Sequence, residues 1–330
     1  MRLRGKMLIV GGLVLLALCG FAAAADGNAS GSAPGANSFL WGAWIGPQFT
    51  GSEPPWNWQA VKAFEARNAR GKHVNLVHWG VGTPWGHEFR YWLGPLNRAR
   101  SAGAVSLIDM DTASVPLRNV ADGAYDSALR TWASQARSWG HPLLLRFDWE
   151  MNGSWFPWGT RPSNLNTAAE FVAAWRHVHD IFAGAGASNV LWVWCPNAIP
   201  PRHAMTNPVA LYPGDAYVNW TCLDAYNFDT PWTSFSRLFA ASYRLITQLA
   251  PTKPMLVGEV ASTGHGGSKA RWIRNMFKAL ATRFRAVRGL AWYDKWGLKS
   301  SHPRDWPIET SKAASAAFSR GIARELALSP

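Results

Sequence analysis

The sequence predicts an α/β fold, a single (β/α)8 TIM barrel, and three observations carry that prediction. Short apolar runs alternate with helical periods eight times between Trp41 and Arg324. The runs are continuously apolar, as strands covered on both faces are, and do not alternate as half-exposed strands do. Carboxylates stand at or just past the ends of several runs, where a parallel eight-stranded barrel gathers its polar groups. With 330 residues, 48% of them hydrophobic and only 16% charged, the chain has ample material for one large core and is not disordered.

The runs are placed as follows. Trp41 to Gly46 is the first strand, followed after Pro54-Pro55 by a helix with Trp58, Val61 and Phe64 on one side. His73 to Trp79 is the second, and a helix from Phe89 to Arg100 leads to the third, Val105 to Met110. Asp122 opens a helix carrying Leu129, Trp132 and Ala136, which stops at Gly140. Pro142 to Asp148 is the fourth strand. Thr167 with Glu170 three residues later forms a capping box for a helix bearing Phe171, Trp175, Val178 and Phe182. Val190 to Trp194 is the fifth strand, and a proline-rich stretch to Trp220 has the length of a functional loop. Thr221 to Tyr226, Met255 to Val260 and Val287 to Tyr293 complete the set, with helices around Leu238, Met276 and residues 311–324. No second domain is indicated.

Residues 1–25 read as a secretory signal: Arg2, Arg4 and Lys6, then Leu8 to Leu18, then the small residues Ala23 to Ala25. The apolar stretch is short for a membrane span, so no integral membrane segment is expected after cleavage. Cys19 lacks the small preceding residue that lipid anchoring wants, because Leu18 stands there. Residues 26–38 have linker composition, and 39–330 is the barrel. These features predict a secreted or periplasmic, monomeric protein.

The formal charge is +13, and removing the three signal cations leaves +10. No Lys/Arg run exceeds two, and the densest region, Arg271 to Arg288, reads as a solvated helix face. Nucleic acid is therefore not an expected partner, whereas an anionic surface or an acidic glycan is compatible with the charge. Cys195 and Cys222 lack metal-ligand spacing, so no metal and no cofactor are expected; they are either buried thiols or a disulfide. The 21 tryptophans, against 7 tyrosines, either fill the space between layers or face flat ligands such as sugars.

The chemistry concentrates in RFDWEMNGSWFPWG, Arg146 to Gly159. Glu150 ends an apolar run and is followed by Asn152, an amide able to hold a hydroxyl, and by Trp155, a ring able to stack on a pyranose. Glycoside hydrolysis needs two carboxylates, and Glu259 at the end of the seventh strand lies across an eight-stranded barrel from Glu150. Alternation along the fourth strand puts Arg146, Asp148 and Glu150 on one face, which predicts a buried Arg146–Asp148 ion pair below Glu150. Asp148 as the acid is the minor reading. Asp224 and Tyr226 share a face of the sixth strand, which puts the Tyr226 hydroxyl within reach of Glu259.

This constellation resembles glycoside hydrolase family 26, whose acid/base signature runs R-x-x-H-E-M-N-G-x-W. NVLWVWCPN, YPGDAYVNWTCLDAYN, KPMLVGEVAS and the stretch from WYDK to DWPIETS extend the likeness over nearly the whole mature chain. The resemblance implies a retaining endo-acting hydrolase of β-linked polysaccharide such as mannan or β-glucan, with Glu150 as acid/base and Glu259 as nucleophile. It further implies that Tyr226 supports the nucleophile, that Trp155 and Trp292 line sugar subsites, and that His78 contacts substrate. Trp296 joins them as a substrate-binding candidate by its place after the eighth strand. Trp85 and Trp232 extend the cleft or cover it, and His203 and His265 lie in loops bordering it. Trp149 stands where the family keeps a histidine, which removes a polar contact near the cleavage point. A non-catalytic glycan-binding protein on the same barrel is the second reading.

Overall fold

The computed structural model describes residues 38–55, 58–161, 165–199, 205–228, 230–297 and 304–328. The signal segment, Cys19, nearly all of the linker and His203 lie outside them. Eight parallel strands close into one barrel in sequence order. They are β1 (Leu40–Ile45), β2 (Leu76–Gly82), β3 (Val105–Met110), β4 (Leu143–Phe147), β5 (Val190–Trp194), β6 (Trp220–Asn227), β7 (Met255–Ser262) and β8 (Val287–Asp294). Closure runs from Leu40 opposite Gly289 to Ile45 opposite Asp294. The helices are α1 (Gln59–Asn68), α2 (Leu93–Ser101), α3 (Leu117–Ala121), α4 (Asp126–Trp139), α5 (Ala168–Gly184), α6 (Phe235–Leu249), α7 (Lys269–Thr282) and α8 (Lys312–Leu328).

Several boundaries move for identifiable reasons. β2 begins at Leu76 because the residues before it are otherwise engaged: Val74 N–H donates to Glu65, and the Asn75 side chain accepts from Trp41 N–H and donates to Phe39 C=O. The helix expected from Asp122 starts at Asp126, after Gly123 turns the chain at φ 87°, and the short α3 precedes it. Thr167 and Glu170 form the expected capping box on α5.

Side chains alternate between two cores. One line points outward to the helices and includes Trp41, Trp79, Ile108, Leu145, Trp194, Leu223, Val257 and Trp292. The other fills the barrel with Leu40, Leu76, Leu107, Leu144, Val193, Leu256 and Ala291. Seven tryptophans, at 41, 79, 132, 175, 194, 272 and 292, are fully buried, so much of the excess serves packing between sheet and helices. Cys195 and Cys222 are disulfide-bonded inside the barrel, joining the residue just after β5 to the third residue of β6.

α7 and α8 pack through the absence of a side chain at Gly321, where an added Cβ would sit 1.9 Å from Phe277 Cδ2. Gly321→Ala is therefore expected to cost about 1–3 kcal/mol by overpacking. Gly94→Ala on exposed α2, where an added Cβ meets nothing within 4 Å, is expected to stabilise by about 0.4–1 kcal/mol. Calorimetric melting temperatures moving in opposite directions check the pair.

Candidate active site

Above the apolar filling of the barrel lies a layer of charge. Arg146 on β4 is fully buried and spends its guanidinium on three strands. Nε and Nη2 donate to the two oxygens of Asp109 at 2.6 and 2.7 Å, Nη1 to Asp224 Oδ2 at 2.6 Å, and Nη2 also to Glu259 Oε1 at 2.5 Å. His78 Nε2 lies 2.8 Å from Asp109 Oδ2. Burial alone would raise Asp109, but Arg146 and His78 hold its pKa below the usual carboxylate range. Asp224 is pushed well up, by burial first and then by the surrounding carboxylates. A single guanidinium does not offset every acid it touches.

The expected Arg146–Asp148 pair does not form. β4 ends at Phe147, and Asp148 takes φ 43°, which breaks the alternation that the prediction assumed. The fully buried Asp148 carboxylate accepts instead from Thr112 N–H at 2.8 Å and from the Thr112 hydroxyl, leaving it unavailable as an acid at the mouth. Glu150 is left-handed too, at φ 52°, and its N–H is anchored on Cys195 C=O at 2.8 Å. Two non-glycine residues in this region cost about 1–3 kcal/mol each, and they turn Glu150 over the charged layer.

Glu150 is 5% exposed. Asn197 Nδ2 donates to its Oε1 and Trp155 Nε1 to its Oε2, each at 2.5 Å. Burial, then the Glu259 charge, push its pKa up to about 7, against the pull of these two donors. Glu259 reaches the same layer through a bulge in β7. The register to β6 pairs Leu223 with Val257 and then Asp224 with Glu259, so Gly258 is the extra residue that re-aims the strand. One Glu259 oxygen is held by Arg146, and the other accepts from the Tyr226 hydroxyl. Burial and the Glu259 charge push the Tyr226 phenol well up, which keeps it a donor.

The remaining expected contacts divide. Trp155 is 51% exposed beside Glu150, and Gly153 is required beneath its ring, where an added Cβ would lie 2.5 Å away. Trp296 is exposed as well. Trp292 is corrected: it is fully buried on the outer face of β8, packs on Trp272 and Phe318, and donates to Trp306 C=O, so neither ring face is open to a sugar. Alternation along β8 explains this, and the neighbouring Tyr293 faces the barrel axis, stacked on Trp44 and edge-on to Tyr226.

Asn152 is also corrected. It exchanges two hydrogen bonds with the Asn197 backbone, at 2.8 Å each, so it positions Asn197, and its full burial keeps the rest of its amide from a ligand hydroxyl. His78 is enclosed against Asp109, Arg146 and the edge of Trp44, which makes it part of the charged layer and not a surface for substrate. Trp85 stacks on Tyr125 at 4.0 Å, and Trp232 donates to Thr263 C=O. Trp149 is half-buried among Phe156 and Trp158, with the Arg146 guanidinium carbon 5.2 Å from its ring centroid.

Asn197 is the contact that sequence reasoning missed. Its place after the Cys-Pro step closing the fifth strand was the available signal. Ligand atoms of His78, Asp109 and Glu259 lie within 4.8 Å of one another, but Arg146 already supplies the positive charge among them. The sulfurs next to Asp224 are bonded to each other and are not thiolates.

In protein with ¹³C-labelled glutamate carboxyls, the Glu150 signal is expected to titrate at about 7. Glu259→Gln should lower that midpoint by removing a like charge, and Asn197→Ala should raise it by removing a donor to the anion. Asn152→Ala should act in the same direction as Asn197→Ala. A wild-type midpoint in the ordinary glutamate range would contradict this account of the site.

Residues 119–296 match the family model described as glycosyl hydrolase family 26. Endoglucanase H of Acetivibrio thermocellus is 30% identical over 289 residues, covering 85% of this chain and 30% of that protein. A mannan endo-1,4-beta-mannosidase of Bacillus subtilis is 31% identical over 140 residues, covering 41% of this chain and 35% of that protein. The chain thus spans about a third of the length of these curated relatives. Among solved structures, the catalytic domain of the Bacillus sp. JAMB-750 GH26 endo-beta-1,4-mannanase superposes with a TM-score of 0.64 at 16% identity, covering 88% of this chain and 86% of that one. A Cellulomonas fimi endo-beta-1,4-mannanase double mutant gives 0.62 at 19% identity, over 88% and 71%. At those identities the superpositions speak for the barrel alone. The family model, which covers more than half of the chain, speaks for the lineage: this protein belongs to glycosyl hydrolase family 26.

Proposed function

We propose that the protein is an exported endo-acting hydrolase of β-linked polysaccharide, a mannan, a β-glucan or a related glycan, working with retention by double displacement. The observation that carries this is the asymmetry of the two glutamates. Glu150 is buried with its pKa raised to about 7, whereas Glu259 has one oxygen held by a guanidinium and the other by a phenol. Such unlike environments support Glu150 as the proton donor and Glu259 as the nucleophile.

In the first step Glu150 gives its proton to the glycosidic oxygen while Glu259 attacks the anomeric carbon, forming a glycosyl ester and releasing the leaving sugar. Esterification removes the Glu259 charge that helps to raise Glu150. Glu150 is then more acidic and, as its anion, takes a proton from water, which attacks the ester and frees Glu259. Tyr226 and Arg146 hold Glu259 on the attack line, and Trp155 offers its exposed ring to a sugar while its N–H steadies the Glu150 anion. Trp296 provides a second open ring. Because the first step needs protonated Glu150, kcat/KM falls as pH rises through about 7.

The similarity to an endoglucanase over most of the chain favours a β-glucan, and the similarity to mannosidases over a shorter stretch keeps mannan beside it. Export is proposed from the basic and then apolar start, and a monomer from the single closed barrel. A purely glycan-binding role is the weaker reading, because binding gives no use for a half-titrated carboxyl opposite an anchored one.

Glu150→Gln and Glu259→Ala are each expected to lower kcat on the cleaved glycan by about 10³-fold or more. ¹H NMR of the first products should show the β anomer before mutarotation. Near-normal turnover in either variant would overturn the assignment, and α products would overturn retention.

A further inference from the structure

Beyond Glu259 and Tyr226, the mouth carries a cationic nest with unspent donors. Trp306, in the loop after β8, stacks on Tyr226 with centroids 4.8 Å apart. Arg304 in the same loop places its guanidinium carbon 4.4 Å from the ring centre of Phe228 and 5.5 Å from that of Trp306. Arg304 Nε and Trp306 Nε1 are both shielded from solvent and have no hydrogen-bond partner. No carboxylate pairs with Arg304 among the described residues. The neighbouring cations differ: Lys269 lies 3.3 Å from Asp305, Lys295 lies 2.7 Å from Glu53, and Arg146 is saturated by three acids. Phe228 and Trp296 keep open ring surface at 37% and 42% exposure.

Buried indole N–H groups without a partner recur at Trp44, Trp79, Trp92 and Trp132, but Arg304 Nε is the one guanidinium nitrogen so left among the described residues, and beside open aromatic surface it calls for an acceptor brought by a ligand. Where the donor is a guanidinium, the acceptor that gains most is an anion, and a planar carboxylate matches the fork. The formal charge, +10 once the three cations of the signal segment are left out, attracts polyanions at long range, which a neutral glycan would not exploit. We propose that Arg304 is a specificity residue that binds the carboxylate of an acidic β-linked glycan, on the far side of Trp306 and Tyr226 from Glu259. The carboxylate belongs to a uronic acid residue or to an acid substituent such as a pyruvate ketal. The inference rests on the mouth being a glycan cleft, as proposed above.

The test uses the full-length protein and two acidic polymers on one backbone type, one bearing uronic acid and one bearing pyruvate ketals, each also in a carboxyl-reduced, neutral form. Wild type should prefer one acidic polymer over its own neutral form, and the preferred polymer identifies the source of the carboxylate. Arg304→Gln should lower kcat/KM on that polymer about ten- to a hundredfold, chiefly through KM, while leaving the neutral form within about twofold. Equal losses on both forms, or none, overturn the proposal. If Arg304→Gln does not fold, inhibition of wild-type turnover decides: free glucuronate or a pyruvylated sugar should compete where glucose at the same concentration does not, and equal inhibition overturns it. If no polymer is cleaved at all, the hydrolase reading fails separately. Calorimetric titration of acidic against carboxyl-reduced oligosaccharides then still decides the Arg304 inference, with equal affinities counting against it.

Discussion

The site depends on one guanidinium with nowhere to go. Arg146 is sealed inside the barrel, and it joins Asp109 on β3, Asp224 on β6 and Glu259 on β7 through four short hydrogen bonds. Neighbouring β6 and β7 are thus tied to β3 and β4 on another part of the barrel wall, at the level of the charged layer. An unpaired guanidinium at that depth would be costly, so the arginine and its acids hold only as a set. Glu150 responds to the same set: its raised pKa comes from burial and from the Glu259 charge that Arg146 keeps in place.

Around this charge the protein is unusually aromatic, and the rings do two jobs by position. Those on the outward line of the strands, such as Trp41, Trp79 and Trp292, wedge between sheet and helices with no open face. Those past the strand ends, such as Trp155 and Trp296, keep half their surface in solvent. Since strand residues alternate, one step in register decides which job a tryptophan takes.

That rule explains what was legible in the sequence and what was not. The eight strand-helix cycles were legible because each strand is a dense apolar run, and β3 and β5 match their predicted limits. That Glu150 and Glu259 come to one charged layer was legible because few carboxylates follow such runs. The sequence misled where the chain leaves regular geometry: positive φ at Asp148 and Glu150 ends the alternation that would have paired Arg146 with Asp148. It misled again at Trp292, where the family likeness suggested a sugar contact and the parity of β8 turns the ring to the helices. Asn152 was read as a ligand contact because an exposed amide and a buried one look alike in a string of letters. Only its two bonds to the Asn197 backbone tell them apart.

The bulge at Gly258 has a consequence for how such a protein can change. A methyl group there would meet Cys222 Sγ at 2.5 Å, Asp224 Oδ1 at 2.8 Å and Arg146 Nη1 at 3.0 Å. The floor of the site therefore has no spare volume, and even the smallest side chain would displace a disulfide, an acid or the central cation. At the rim, Trp296 is 42% exposed and holds neither glutamate, so it can be exchanged without disturbing that floor. New surface contacts are therefore reachable by redrawing the rim, while the charged layer below stays fixed by a position that admits only hydrogen.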